Sequence, residues 1–290
     1  MIFTFIAEHC SDLPVAASCR VMKVTTSGYY EWRDRQSNPG ARAREDHALT
    51  ATIIEIHRQS RGTYGAPRVH AELRLGAGVR VGRKRVARLM RRAGVEGVYR
   101  RRTRGCTRRH LQAEPADDLV NRSFAVDAPD RLWVSDITEH PTDGGKVYLA
   151  VVLDAWSRRV IGWSIADHIR AELVVDALQM AIWRRNGPDG TIVHSDHGSQ
   201  YTSWAFGRRL RAAGLLGSMG SVGDAFDNAV AESFFGTLQL ELLDRQPRWS
   251  TRKQLASAIF EWIECFYNPQ RRHSSVGMLS PIDYETTHAA

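Results

Sequence analysis

The sequence predicts an α/β protein in which a mixed five-stranded sheet, flanked by helices on both faces, follows an all-α basic region of helix-turn-helix type. Three observations predict it. Charge divides the chain: residues 1–123 hold 24 Lys+Arg against 12 Asp+Glu, and residues 124–290 hold 16 against 20. The basic half shows helical periodicity with no strand pattern. The second half opens with three strand-like runs and then alternates helix and strand.

Residues 11–36 carry Val15, Cys19, Met22 and Val24, then Tyr29, Tyr30 and Trp32, before Asn38-Pro39-Gly40 breaks the pattern. Leu49, Ile53 and Ile56 predict a helix. Arg61-Gly62-Thr63-Tyr64-Gly65 is a turn, and Pro67 suits the first turn of the helix after it. Gly76-Ala77-Gly78 ends that helix. Gly82 precedes a second one, with Val86, Leu89 and Met90 on its apolar face and Arg83, Lys84, Arg85, Arg88, Arg91 and Arg92 on the others. The pair predicts a helix-turn-helix laid on DNA. From His57 to Arg109 there are 17 Lys+Arg and 2 acids, a density that calls for a polyanion. Residues 100–109 form a basic arm. The expected division is a helical segment at 1–56, a DNA-binding domain and arm at 57–112, a linker at 113–127, and a catalytic core with C-terminal helices at 128–290.

In the second half, Leu132–Thr138, Val147–Asp154 and Val160–Ile165 predict an antiparallel meander. Val147–Asp154 is apolar on both faces, hence central. A helix over 171–185, a short buried strand at 191–195, a helix over 203–213, a last strand from Leu215-Leu216 and helices over 227–243 and 251–267 complete the layers.

Some classes are excluded. No apolar run approaches the roughly 18 residues of a membrane span. The apolar opening, residues 1–7, lacks a basic flank and makes a poor signal peptide, so a cytoplasmic location is expected. Cys10, Cys19, Cys106 and Cys265 show no CxxC spacing, and His9, Cys10 and Cys19 lack a fourth ligand for zinc.

Three acids stand where acids are costly. Asp136 interrupts an apolar strand. Asp196 ends a buried one. Glu232 lies in the apolar stretch 229–235. Buried carboxylates need a counter-charge. Mg²⁺ (or Mn²⁺) supplies one through oxygen ligands, and two such ions clamp an in-line displacement at phosphorus. Asn228, Gly236 and Gln239 share the helix face of Glu232. Asp154 reads as a turn residue. Arg271, Arg272 and His273 suit either helix carbonyls or DNA.

From Asp136 onward the chain resembles the DDE enzymes of the retroviral-integrase superfamily, with its RNase H-like fold; 35 residues separate Asp196 from Glu232. The closer resemblance is to OrfB-type transposases of bacterial insertion sequences. It is carried by Trp133-Val134-Ser135-Asp136-Ile137-Thr138, by residues 194–201 (HSDHGSQY), by residues 227–235 (DNAVAESFF) and by residues 267–273 (YNPQRRH). Upstream, Gly62-Thr63-Tyr64-Gly65 and the basic helix pair belong to the same likeness. Many such transposases carry Lys where this chain has Gln239. The resemblance implies cleavage at element ends and transfer of the 3′-OH to target DNA. It implies Asp136, Asp196 and Glu232 as catalytic metal ligands, DNA contacts by Arg83, Lys84, Arg85, Arg88, Arg91 and Arg92 together with Asn228 and Gln239, a homo-oligomer on double-stranded DNA, and action on the bacterial nucleoid. An upstream helix-turn-helix protein, separate or fused, is a further expected partner. The alternatives are an RNase H-like nuclease and a catalytically silent DNA-binding remnant of a transposase.

Overall fold

The computed structural model describes residues 2–99, 126–219 and 229–288. The basic arm, most of the expected linker and Asn228 lie outside the described residues.

The chain opens with three short helices, α1 (Ile2–His9), α2 (Val15–Val21) and α3 (Thr26–Ser37). They share a small core of Ile6, Cys19 and Tyr29. The opening run is thus a helix that buries Ile6. Helix α4 (Ala41–Gln59) follows, then α5 (Ala66–Leu75) and α6 (Arg83–Arg92). Pro67 sits in the first turn of α5 as expected. Val86, Leu89 and Met90 of α6 pack with Ile53 and Ile56 of α4 and Val69 and Leu73 of α5. That apolar stripe turns the basic faces of α6 outward.

The sheet is built from β1 (Leu132–Thr142), β2 (Gly145–Asp154), β3 (Val160–Ala166), β4 (Ile192–Ser195) and β5 (Leu216–Met219), in the order β3-β2-β1-β4-β5. The meander β1-β2-β3 is antiparallel, and β4 and β5 are parallel to β1. Helices α7 (Ala171–Arg184) and α8 (Trp204–Ala212) cover one face, around Trp133, Val152, Leu178 and Phe206. A Cβ at Gly162 would stand 2.1 Å from the Ala177 carbonyl oxygen, so β3 and α7 meet backbone to backbone. Helices α9 (Ala229–Glu241) and α10 (Arg252–Glu261) cover the other face, around Val134, Val151, Phe234 and Leu238. The helix expected to run to Tyr267 changes hydrogen-bond pattern: Trp262–Tyr267 is π-helical, and its Trp262, Ile263, Phe266 and Tyr267 are all buried. Helix α11 (Pro281–His288) closes the chain.

One apolar core runs from α4–α6 into the α9 face of the sheet. Polar bonds reinforce the joint. Arg272 donates to Glu72 of α5 at 2.6 Å, its backbone N–H donates to the Tyr64 hydroxyl at 2.7 Å, and that hydroxyl donates to the Gln270 carbonyl at 3.2 Å.

Candidate active site and DNA-binding face

Side chains alternate along a strand, so Val134, Asp136 and Thr138 share one face of β1. Val134 packs in the core under α9, which puts Asp136 on the α9 side. Val134 pairs with His194 in the parallel β1–β4 ladder. Continuing that register by two residues brings Asp136 beside Asp196, with strands about 4.8 Å apart. Asp136 is half-buried and Asp196, one residue past β4, is exposed. The Ile137 N–H donates to Asp136 at 2.7 Å, and the Gly198 N–H donates to Asp196 at 3.0 Å, closing an Asx-type turn.

A hydroxyl relay lies beneath this pair. Ser135 Oγ donates to the Val151 carbonyl at 3.0 Å and lies 3.1 Å from the Tyr201 hydroxyl. The serine proton is committed to Val151, so Tyr201 is the donor between the two hydroxyls. Burial raises the Tyr201 phenol well above its usual range, and the Asp136 and Asp196 carboxylates push it further. The phenol therefore stays protonated, and both carboxylates are close enough to act on it. Sequence reasoning quoted Tyr201 within a phrase but did not select it as a site residue.

Glu232 stands in the first turn of α9, exposed, beside buried Val230, Ala231 and Phe234. The buried stripe of α9 includes Val230 and Glu241, and Phe235 is half-buried. Among the described residues, no three His, Cys, Asp or Glu side chains gather closely enough to hold a metal ion. The extended register sets the two aspartates on neighbouring strands, and α9 carries Glu232. Gln239 is exposed, and its amide donates to Asp244.

On α6, Arg83, Lys84, Arg91 and Arg92 are exposed. Arg85 and Arg88 are not free. They grip Asp46 of α4 at 2.7 and 2.8 Å, and Arg85 also donates to Glu45 at 3.2 Å. Hydrogen bonds from Arg88 and Arg85 hold the Asp46 carboxyl below its usual range. The early end of α6 therefore offers Arg83 and Lys84 to a ligand.

Comparison with known proteins matches this layout segment by segment. The HTH-like domain family matches residues 43–103, and Integrase core domain families match residues 126–225 and 232–288. The chain is 38% identical over 290 residues to transposase InsF of insertion sequence IS3A from Escherichia coli (strain K12), covering 100% of both chains. It is 37% identical over 280 residues to the transposase of insertion sequence element IS629 from Shigella sonnei, covering 95% of this chain and 93% of that one. The chain belongs to the insertion-sequence transposases. Its sheet, helical layers and helix-turn-helix-like region are those the sequence predicts for such an enzyme, and it carries an HTH-like domain ahead of an integrase-type core. Among the described residues of the transposase, no helix is long and apolar enough to cross a membrane.

Several of its charged residues have structural roles instead. Asp154 is fully buried and accepts backbone N–H bonds from Asp130, Trp156 and Ser157 at 2.8, 2.8 and 3.0 Å. It fixes the corner between β2 and β3. Arg271 and Arg272 meet neither helix carbonyls alone nor solvent. Arg271 is 3% exposed and forms a two-point bond to buried Glu241, at 2.8 and 2.7 Å. The transposase's His273 is buried against them. Burial first, then the charges of Arg271, Arg68 and Arg158, hold its imidazole well below the usual range, so it is neutral at physiological pH.

Proposed function

We propose that Asp136, Asp196 and Glu232 are the catalytic carboxylates of the transposase, that they hold two Mg²⁺ or Mn²⁺ ions, and that the enzyme cuts at its element's ends and joins the freed 3′-OH to target DNA. The observation that carries the reading is the placing of Asp136, within β1, and Asp196, just past the end of β4, on the α9 face of neighbouring parallel strands. Mg²⁺ is commonly bound through one or two carboxylates plus phosphate oxygens of the substrate. The aspartate pair fits that donor set, and Glu232 completes it once DNA brings the helix face and the two strands together. A bound divalent ion would offset negative charge on the attacking and leaving oxygens. In the first step water breaks a phosphodiester and leaves a 3′-OH. In the second that hydroxyl attacks a target phosphodiester, forming one such bond and releasing the target's own 3′-OH.

The chain's residues orient these steps. The Tyr201–Ser135–Val151 relay holds β1 beneath the carboxylates. Residues 57–112 form the DNA-binding domain in this account, with α4 as its support. Arg83 and Lys84 read the element end, Arg91 and Arg92 meet phosphates, and Asn228 and Gln239 touch DNA beside Glu232. The transposase works as a homo-oligomer on double-stranded DNA in the bacterial cytoplasm, with an upstream helix-turn-helix protein as a further partner. Incubating the purified protein with DNA bearing the ends of its own insertion sequence, with and without Mg²⁺ or Mn²⁺, tests this. Strand-transfer products that require the ion are expected. Ordinary nicking without joining would favour a nuclease, and binding without any cleavage would favour a silent remnant.

A further inference from the structure

A cavity of about 370 Å³ lies between α5, the first two turns of α9, the turn from β2 to β3 and the segment after Tyr267. Arg68, Arg158 and Arg271 line it, together with Ser233, Thr237 and Ser274. No carboxylate is among its described lining residues. Glu241, behind the wall, bonds Arg271 and Arg68. Among the described residues, one acid is thus bonded to two of the three arginines, and the balance is positive. Neutral His273 on the same wall adds nothing to it.

Arg158 is the informative member. Its backbone is left-handed, with φ of 65°, a conformation that costs an ordinary residue about 1 kcal/mol or more. The Tyr267 hydroxyl donates to its carbonyl at 3.1 Å and holds it there. Its guanidinium has no hydrogen-bond or ion-pair partner among the described residues, although Asp154 and Glu285 both lie within the neighbouring turn and network. A strained backbone that presents an unpaired cation beside two others at a cavity wall is arranged for an anion.

We propose that this cavity is a phosphate site and that its ligand is a backbone phosphodiester of the transposase's DNA. Arginine forks and hydroxyls are the donor types that phosphate oxygens accept from. The site joins α5 of the helical half to α9 of the core, so one phosphate bridges both. Ser233 follows Glu232 on α9 by about 100° of helix rotation. A strand held in the cavity therefore runs along the flank of the catalytic helix. The proposal rests on the reading of the chain as a DNA strand transferase only for the source of the phosphate.

The test uses the full chain and the salt dependence of its binding to labelled DNA. Arg158→Gln removes a cation that bonds no other described residue, so its melting temperature should stay at the wild-type value. Its affinity should fall about tenfold on end-sequence and random DNA alike, and the log–log salt slope should become shallower by about 0.9. Thr237→Glu, which puts a carboxylate into the wall, should weaken binding further, while Thr237→Gln should not. Unchanged affinity and slope in Arg158→Gln, with no effect of inorganic phosphate on the wild-type melting temperature, would overturn the site. Inorganic phosphate, added at constant ionic strength, separates the sources: if it raises the melting temperature of wild type but not of Arg158→Gln, and DNA binding is equal in the two, the DNA assignment is overturned. Asp136→Asn reports on the catalytic reading separately, since it should bind DNA normally and fail in cleavage and joining.

Discussion

Replacing Glu241 by Gln should destabilise the transposase severely, and the size of the loss can be worked from the site. Glu241 is 5% exposed and Arg271 3%. Two bonds of 2.8 and 2.7 Å join them, and Arg68 adds a third at 3.2 Å. Glu241→Gln keeps the volume and one acceptor but removes the only negative charge bonded to Arg271 among the described residues. The nearest group to Arg271 beyond it is His273, at 3.3 Å, which is neutral and cannot compensate. Leaving one partner of a buried pair uncompensated costs about 3–5 kcal/mol. Against a total stability of about 5–15 kcal/mol this is a large share. For a chain of this size it corresponds to a fall in melting temperature of about 6–20 °C. Urea unfolding followed by tryptophan fluorescence is the assay, with the midpoint expected to fall and the slope to hold. The double variant Glu241→Leu/Arg271→Met removes both charges and should recover most of the loss, because apolar replacement of a buried pair is often neutral. A loss below about 1 kcal/mol in Glu241→Gln would refute the reasoning, since that is the range of an exposed pair.

Other predictions concern separate parts of the fold. Burial alone would raise the Glu285 carboxyl, but bonds from Arg185, Ser157 and Arg159 outweigh it and hold it below its usual value. Its stabilisation is therefore complete above the unfolded value of about pH 4.5 and is lost as pH falls through the lower folded value. Glu285→Gln should cost about 3 kcal/mol at neutral pH and should flatten the acid limb of a stability–pH curve; an unchanged limb would contradict it. Tyr201→Phe should cost about 1 kcal/mol and slow strand transfer while DNA affinity holds, measured by melting and by product formation. On α6, Arg83→Ala or Lys84→Ala should lower discrimination between end-sequence and random DNA by about 1–3 kcal/mol if either makes a bidentate base contact. Arg91→Ala or Arg92→Ala should weaken both alike in competition binding, and Arg85→Ala should also loosen α6 from Asp46.

The parts legible in the sequence are those with a local pattern. Val147–Asp154 is apolar on both faces and is a central strand. Val86, Leu89 and Met90 give the buried stripe of α6 because helical periodicity is short-range. The carboxylates stood out as acids in apolar segments, and the register of β1 with β4 then brings two of them together. What escaped depends on distant partners. Glu241 and Arg271 are 30 residues apart and Asp46 and Arg85 are 39 apart, so neither pair leaves a sequence signal, and arginines that read as free or DNA-facing are bonded inside the protein. β1 runs on to Thr142 because a polar, solvent-facing ribbon pairs with β2 as well as an apolar strand does. Tyr201 escaped because its value lies in one hydroxyl beneath another strand's residue.

The most direct measurement is strand transfer by Asp136→Asn, Asp196→Asn and Glu232→Gln, each compared with wild type on DNA bearing the element's ends in Mg²⁺ and in Mn²⁺. Each substitution removes a carboxylate charge without changing side-chain size, so DNA affinity and melting temperature should stay close to wild type while cleavage and joining are abolished in both ions. Full cleavage by any one of the three, at normal affinity, would contradict the assignment of that residue, and full cleavage by Asp136→Asn would contradict the account of the site.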